Sequence, residues 1–305
     1  MTEQKIKGVL SPVLTPFHAD YSIHEDLFLQ HCKELIELDV GLAVFGTNSE
    51  GTSLTVKEKR KLLDVLIGAD ISAKKIMPGV GSCTISDTVE ITRYATELGC
   101  AGVLALPPFY YKGVSDEGLY RYFSSLIEQV GRSEVRVYLY HIPPVSQVGI
   151  SISLIERLLR AFPEQIAGIK DSSGDWQNTL TLLRMFQPEG FDVFAGNETF
   201  LLDTLRYKGA GCITATGNVN AVAIRKLYDT WQTESAEKQQ ERLNEVRSWF
   251  QQFPMIAAMK SALAAYHGES DWKRLRPPLV ELSDEQYHQL KDVLAQNKFI
   301  PNKAP

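Results

Sequence analysis

The sequence has no long apolar run, little cysteine and no block of charge of one sign, and each absence removes a class of protein. No stretch approaches about eighteen uncharged apolar residues, so no membrane span is expected. The opening residues, Met-Thr-Glu-Gln-Lys-Ile-Lys, hold no apolar segment of signal-peptide length. Four cysteines (Cys32, Cys83, Cys100, Cys212) are scattered without CxxC spacing, as suits reduced thiols in a cytoplasmic protein rather than a disulfide frame. A net charge of -5 with no basic stripe leaves no nucleic-acid footprint. The six histidines (His18, His24, His31, His141, His267, His288) form no HxxxH pair and no Cys/His cluster, so metal activation is not expected.

What is present is alternation. At 305 residues and 44% hydrophobic, the chain can bury a large core. Short apolar runs read as strands at Val9–Thr15, Leu42–Phe45, Ile76–Pro78, Gly102–Leu106, Val137–Tyr140, Ile166–Lys170, Asp192–Ala195 and Cys212–Ala215. Amphipathic helices lie between them. Thr55 with Glu58 reads as a capping box and Ser115 as a helix start, while Gly68, Gly99 and Gly209 stand near helix ends. Eight such units predict an α/β fold, a closed (β/α)8 TIM barrel, in preference to an open doubly wound sheet. From about Ser235 the strands stop. Glu241–Phe253, Met255–Tyr266 and Ser283–Gln296 read as helices, the last opened by a Ser283/Gln286 capping box, and Pro277-Pro278 breaks the chain before it. The expected division is a catalytic barrel over 1–234 and a helical extension over 235–305, with Asn302–Pro305 loose.

Two strand ends carry the sharpest chemical signal. Val-Arg-Val-Tyr-Leu-Tyr140 and Ile-Ala-Gly-Ile-Lys170 end thirty residues apart with a helix from Ser153 to about Ala161 between them. That spacing puts both side chains at the carboxyl edge of one parallel sheet, where such folds build their sites. A half-dry lysine there can lose its proton and attack a carbonyl, and a neighbouring tyrosine can shuttle the proton. The plain alternative is a strand-end lysine paired with Asp171. After the second strand, Gly46-Thr47-Asn48-Ser49-Glu50 offers successive amides and hydroxyls, suited either to hold a carboxylate or simply to lead into the Thr55 cap. Pro107-Pro-Phe-Tyr110-Tyr111-Lys112 projects aromatics from a stiffened loop, for local packing, a subunit contact or both.

Other motifs carry less. Gly79-Val-Gly81-Ser-Cys-Thr84 lacks the third glycine of a dinucleotide fingerprint. Asp171–Asp175 imitates a calcium loop, but Trp176 stands where glycine is required and Leu182 where Glu is required. His141 should point away from Tyr140 across its strand, and Cys83 has no paired base.

Taken together, Gly46-Thr-Asn-Ser-Glu50, Tyr140-His-Ile-Pro143, Gly168-Ile-Lys170-Asp-Ser-Ser-Gly174 and Gly209-Ala-Gly-Cys-Ile-Thr214 resemble the dihydrodipicolinate synthase / N-acetylneuraminate lyase superfamily from about Gly8 to the C-terminal helices. The resemblance implies a (β/α)8 barrel with a helical C-terminal domain, commonly a tetramer of tight dimers, and class I chemistry on pyruvate or a related 2-oxo acid. It implies that Lys170 forms the imine, Tyr140 shuttles the proton, Thr47 relays it, and the Thr47–Asn48 turn holds the carboxylate. Tyr111 resembles the tyrosine a dimer partner inserts. Ile213, Gly196 and Asn197 lie where the family lines its pocket. No cofactor beyond the covalent lysine imine is implied.

The departures bear on substrate. Synthases of this family usually carry an arginine shortly after the Tyr-x-x-Pro turn to grip the distal carboxylate of aspartate semialdehyde. Here the segment runs Tyr140-His-Ile-Pro-Pro144-Val145-Ser146-Gln147, and a valine makes no bidentate contact. The histidines and polar groups of a lysine-feedback pocket are also missing near Val56, Lys59 and Cys83. The expectation is therefore an aldolase or lyase joining or splitting a 2-oxo acid and an aldehyde other than aspartate semialdehyde. The alternatives are 4-hydroxy-tetrahydrodipicolinate synthase itself, a sugar-acid dehydratase using the same imine, or, in a different class, a non-catalytic barrel that senses a ligand.

Overall fold

Aliphatic runs of three to six residues form most of the parallel strands of one sheet: β1 (Gly8–Ser11), β2 (Gly41–Leu42), β3 (Val103–Ala105), β4 (Val137–His141), β5 (Ile166–Asp171), β6 (Asp192–Ala195) and β7 (Gly211–Ile213). This computed structural model describes residues 5–303; the sequence readings on residues 1–4 and 304–305 lie outside the described residues. Spatial order is β2-β1-β7-β6-β5-β4-β3. The edges of that sheet are joined by the extended segment 76–80. Met77 N–H donates to Leu42 O (2.8 Å), Gly79 N–H to Val44 O (2.7 Å), and Leu104 N–H to Pro78 O (2.9 Å). This segment closes the ring as an eighth stave, kept from a full ladder by Pro78, which has no N–H to donate.

Two expected strands are shorter than predicted. Pro12 follows directly on Ser11, where β1 stops, and Phe45 takes φ 63°, turning the chain out of the β2 direction into a loop. Side chains alternate inward and outward. Leu10, Met77, Leu104, Tyr138, Tyr140 and Phe194 pack inside the ring, and Gly168 admits the Tyr138 ring, because a Cβ there would sit 2.8 Å from it.

Among the described residues, eight helices wrap the barrel: α1 (Glu25–Glu37), α2 (Val56–Gly68), α3 (Ile85–Glu97), α4 (Asp116–Val130), α6 (Ile152–Ala161), α7 (Trp176–Phe186), α8 (Leu201–Arg206) and α9 (Ala221–Thr230), with a single turn α5 (Pro143–Ser146) after β4. The Thr55/Glu58 and Ser283/Gln286 capping boxes both form. Ser115 accepts from Gly118 N–H at 3.2 Å, and each such cap contributes about 1 kcal/mol. Gly68 and Gly209 are not the left-handed stops the sequence suggests. Asp70 (φ 61°) and Lys208 (φ 63°) take those conformations, while Gly209 is required by packing, since a Cβ would lie 2.4 Å from Thr204.

The C-terminal helices α10 (Ala236–Gln251), α11 (Met255–His267) and α12 (Asp284–Gln296) share a second core with the barrel, in which Phe250, Met259, Leu263 and Trp272 meet Leu14 and Val219. α10 starts several residues before the expected Glu241. Asn302, expected to be loose, is tied down. Its side chain accepts from Ala221 N–H (2.8 Å) and donates to Asn218 O (2.9 Å). Among the described residues no helix is long and apolar enough to cross a membrane.

Candidate active site

The strand register places Tyr140 and Lys170 side by side, Cα partners across β4 and β5. Lys170 is 2% exposed, and its Nζ lies 4.3 Å from the centroid of the Tyr140 ring. It makes no hydrogen bond or ion pair with any described residue. The simple pairing with Asp171 does not occur, because period-two alternation sends Asp171 outward. There Asp171 accepts from Thr179 Oγ1 (2.6 Å), Asn178 Nδ2 (3.0 Å) and Ser173 N–H (3.0 Å). An unpaired amine at a buried strand end is held by geometry alone, with the electron-rich face of Tyr140 beneath it.

The loop after β2 supplies the third member. Thr47 Oγ1 and Tyr140 OH lie 3.1 Å apart, within one hydrogen bond. The loop wraps so tightly that Ser49 N–H and Gly51 N–H both donate to Gly46 O, at 3.1 and 3.0 Å, and Glu50 N–H to Thr47 O at 3.1 Å. The Thr47 and Asn48 amides donate to no described group. Two successive free N–H groups next to the Thr47–Tyr140 hydrogen bond make a receptor for a carboxylate. Gly51 and Gly79 let this turn close on itself, since a Cβ on either would lie within 2.4 Å of Phe45 O.

The remaining predicted residues divide. Ile213 is fully buried on β7, inside the ring with Tyr140. Gly196 follows β6, its N–H donating to Asp171 O at 2.7 Å, and a Cβ there would lie 2.1 Å from Ser172 Oγ. Asn197 caps the turn that follows, accepting from Thr199 N–H. Val145 stands on α5 and is 62% exposed. Tyr111 is not brought to Tyr140 within one chain: it is 72% exposed and packs edge-on against Tyr110 at 5.2 Å. His141 points outward as expected, accepting from Ile150 N–H at 2.9 Å, and burial lowers its pKa against the pull of Asp171. The Cys212 thiol is pushed well up by burial, which keeps it inert.

Two buried networks brace these loops, and sequence reasoning named the partners of neither. Glu50, at φ 55°, places its carboxylate against Lys260 Nζ (2.5 Å) and accepts from Arg276 N–H (2.9 Å), with the Glu50 and Lys260 side chains fully buried. A lone lysine inside the apolar run Met255-Ile-Ala-Ala-Met-Lys260-Ser-Ala-Leu was the available signal, since lysine is almost never fully buried without a partner. Glu198 likewise accepts from Thr214, Thr216 and Arg247 Nη1 (2.9 Å), linking the loops after β6 and β7 to α10. Val56 and Lys59 line a cavity of about 180 Å³ beside this loop. Burial lowers the Lys59 pKa to about 8, with Asp87 opposing.

Comparison with known proteins identifies the family and the fold. The sequence model of the Dihydrodipicolinate synthetase family matches residues 5–297. A DapA-like lyase of Chloroflexus aurantiacus is 31% identical over 288 residues, 93% of this chain and 95% of that protein. Dihydrodipicolinate synthase from Agrobacterium tumefaciens superposes at TM-score 0.87 with 29% identity, covering 95% of this chain and 98% of the other. A prophage protein of the dihydrodipicolinic acid synthase family from E. coli K12, solved in complex with pyruvate, gives TM-score 0.87 at 25% identity over 96% and 99% of the two chains.

Proposed function

The chain belongs to the dihydrodipicolinate synthetase family, and on that premise we propose that it is a lyase of the class I aldolase type acting on pyruvate or a close 2-oxo acid. The observation that carries this is the unpaired, buried Lys170 amine over Tyr140, whose hydroxyl lies 3.1 Å from Thr47 Oγ1 beside two free amides. In this reading the Thr47 and Asn48 amides hold the substrate carboxylate and bring its C2 carbonyl to Lys170. The Lys170 amine adds to C2, and the carbinolamine expels water as the imine forms. Loss of a C3 proton gives the enamine, whose carbon attacks the aldehyde carbonyl; water then returns to C2 and releases the product from lysine. Each step moves a proton, which in this reading Tyr140 carries, relayed by Thr47. No cofactor is required. The protein is read as a cytoplasmic homo-oligomer, dimer or tetramer, in which Tyr111 of a second copy completes the relay.

Borohydride trapping tests this directly. Incubation with pyruvate and reductant should add one reduced pyruvate to Lys170, read by intact mass and peptide mapping. No adduct with pyruvate or any of a panel of 2-oxo acids would overturn the reading in favour of a ligand sensor.

The aldehyde is read as one without a distal carboxylate, because the segment after the Tyr140-His-Ile-Pro143 turn carries no arginine and has Val145 near the place where the resemblance expects one. Val145→Arg should raise kcat/KM for aspartate semialdehyde about 10–100-fold, the worth of a charged hydrogen-bonding pair. High activity on that aldehyde in the unaltered protein would instead identify the synthase reaction, and water loss from a deoxy sugar acid would identify a dehydratase.

A further inference from the structure

Helices α1 and α11 meet at a point where two buried imidazole nitrogens have no hydrogen-bond partner among the described residues. His31 and Glu34 stand three residues apart on α1 and so share a face, and His267 is the last residue of α11. His31 Nδ1 and His267 Nε2 are buried with no hydrogen-bond partner among the described residues, although His31 is only 1% exposed. Glu34 Oε2 lies 3.7 Å from His267 Nε2, and one ligand atom from each of the three residues lies within 4.8 Å of the others. Buried polar atoms are rarely left unpaired, and here two are orphaned around one carboxylate.

The surroundings fix these groups in a metal-binding form. His31 Nε2 lies 3.0 Å from Asn218 Oδ1, and Asn218 Nδ2 donates to Pro12 O and Ala215 O. Asn218 Oδ1 is therefore the acceptor and His31 Nε2 the donor, which leaves the lone pair on Nδ1. Glu34 Oε1 accepts from Gln30 Nε2 at 3.1 Å, leaving Oε2 toward His267. Trp272 packs against both rings, edge-on to His31 at 5.3 Å and stacked on His267 at 6.3 Å. A donor nitrogen oriented by an outer hydrogen bond and an apolar wall are the usual supports of a metal ligand set.

We propose that His31, Glu34 and His267 form a binding site for a divalent transition-metal ion, zinc fitting best, that staples α1 to α11. Two imidazoles and a carboxylate with water in the fourth position match the ligand preference of zinc. Bonds of about 2.0–2.1 Å set ligand atoms about 3.3 Å apart in a tetrahedron, close to the Glu34–His267 separation, and the half-exposed Glu34 can rotate to close the rest. The site draws on helix side chains, not on the strand-end set around Lys170. Sequence spacing hides it because His267 lies far along the chain from His31. The other histidine cluster, His18–His24–Asp271, is already engaged: His18 Nδ1 bonds Asp271 Oδ2 at 3.1 Å and His24 Nδ1 caps α1 at Leu27 N–H.

The test uses the untagged full chain, stripped with chelator and titrated with Zn²⁺ and Co²⁺. One zinc per chain by elemental analysis, four-coordinate Co²⁺ absorption and a rise in Tm of several degrees, about that expected at hundredfold excess over Kd, would support the site. Glu34→Gln and His267→Gln should each weaken binding by more than the 10–100-fold that outer-shell changes typically cost, with the metal-free Tm near that of the parent. His24→Gln should bind as the parent does. His31 is left intact because its burial makes its replacement a folding change. A lack of stoichiometric binding would overturn the proposal. Binding kept in His267→Gln and lost in His24→Gln would overturn it equally, assigning the metal to the other cluster.

Discussion

Lys170→Ala is expected to abolish turnover and the borohydride-trapped adduct together, whereas Tyr140→Phe should keep the adduct and slow turnover about 10²–10⁴-fold. The first expectation follows because Lys112 and Lys260, in the loops and braces around the site, are already engaged. Lys112 donates to Phe109 O and to Ser146 O at 2.8 Å, and Lys260 is locked to Glu50, so neither offers a free amine. The second follows from what phenylalanine retains. The ring beneath Lys170 Nζ, 4.3 Å away, stays in place, so the amine keeps its position and can still reach a carbonyl. Only the hydroxyl that meets Thr47 at 3.1 Å is lost, and with it the proton path. Single-turnover trapping measures the imine and steady-state kinetics measures kcat. Unimpaired turnover in Tyr140→Phe would remove Tyr140 from the mechanism, and a trapped adduct in Lys170→Ala would place the imine elsewhere.

What made the fold legible was local. The strand–helix period, the Thr55 and Ser283 caps and the apolar runs before Tyr140 and Lys170 each sit within a few residues of one another, and each appears in the structure where the residues put it. Boundaries failed where one residue's conformation overruled its neighbours, as at Phe45, whose left-handed φ turns the chain into a loop after β2, and at Pro78, which keeps its stave from regular pairing. The pairing of Tyr140 with Lys170 could be inferred because parallel neighbours share a register. The contact of Thr47 with Tyr140 crosses from the loop after β2 to the end of β4, and motif resemblance, not spacing, pointed to it. Contacts between sequence-distant residues stayed out of reach. Lys260 meets Glu50 across 210 residues, and His267 meets Glu34 from the far end of α11. Residue type alone flags such positions as needing a partner without saying which.

The Glu50–Lys260 pair is where that long-range contact should matter most for stability. Both side chains are fully buried, and Glu50 is the residue that turns the Thr47–Asn48 loop. Lys260→Met removes a cation and leaves a buried carboxylate with only the Arg276 N–H, which should cost about 3–5 kcal/mol in denaturant unfolding. Adding Glu50→Gln removes the uncompensated charge, so the double variant should regain most of that loss; if it is no better than the single variant, packing rather than charge is responsible. Activity should separate from stability. With Glu50 no longer tethered, the loop loses its fixed turn, and kcat/KM for the 2-oxo acid should fall in both variants. A pH signature accompanies the pair. Burial lowers the Lys260 pKa from 10.5 to about 8, outweighing the opposing attraction of Glu50. Between those values the unfolded chain holds a proton that the folded chain has released, so stability rises with pH across the window. Lys260→Met lacks that proton in both states, and the stability gap between parent and variant should therefore widen from pH 8 toward 10.5. A gap that stays constant with pH would show that Lys260 keeps an ordinary pKa in the fold, and that the charge on this lysine is not opposed by its burial.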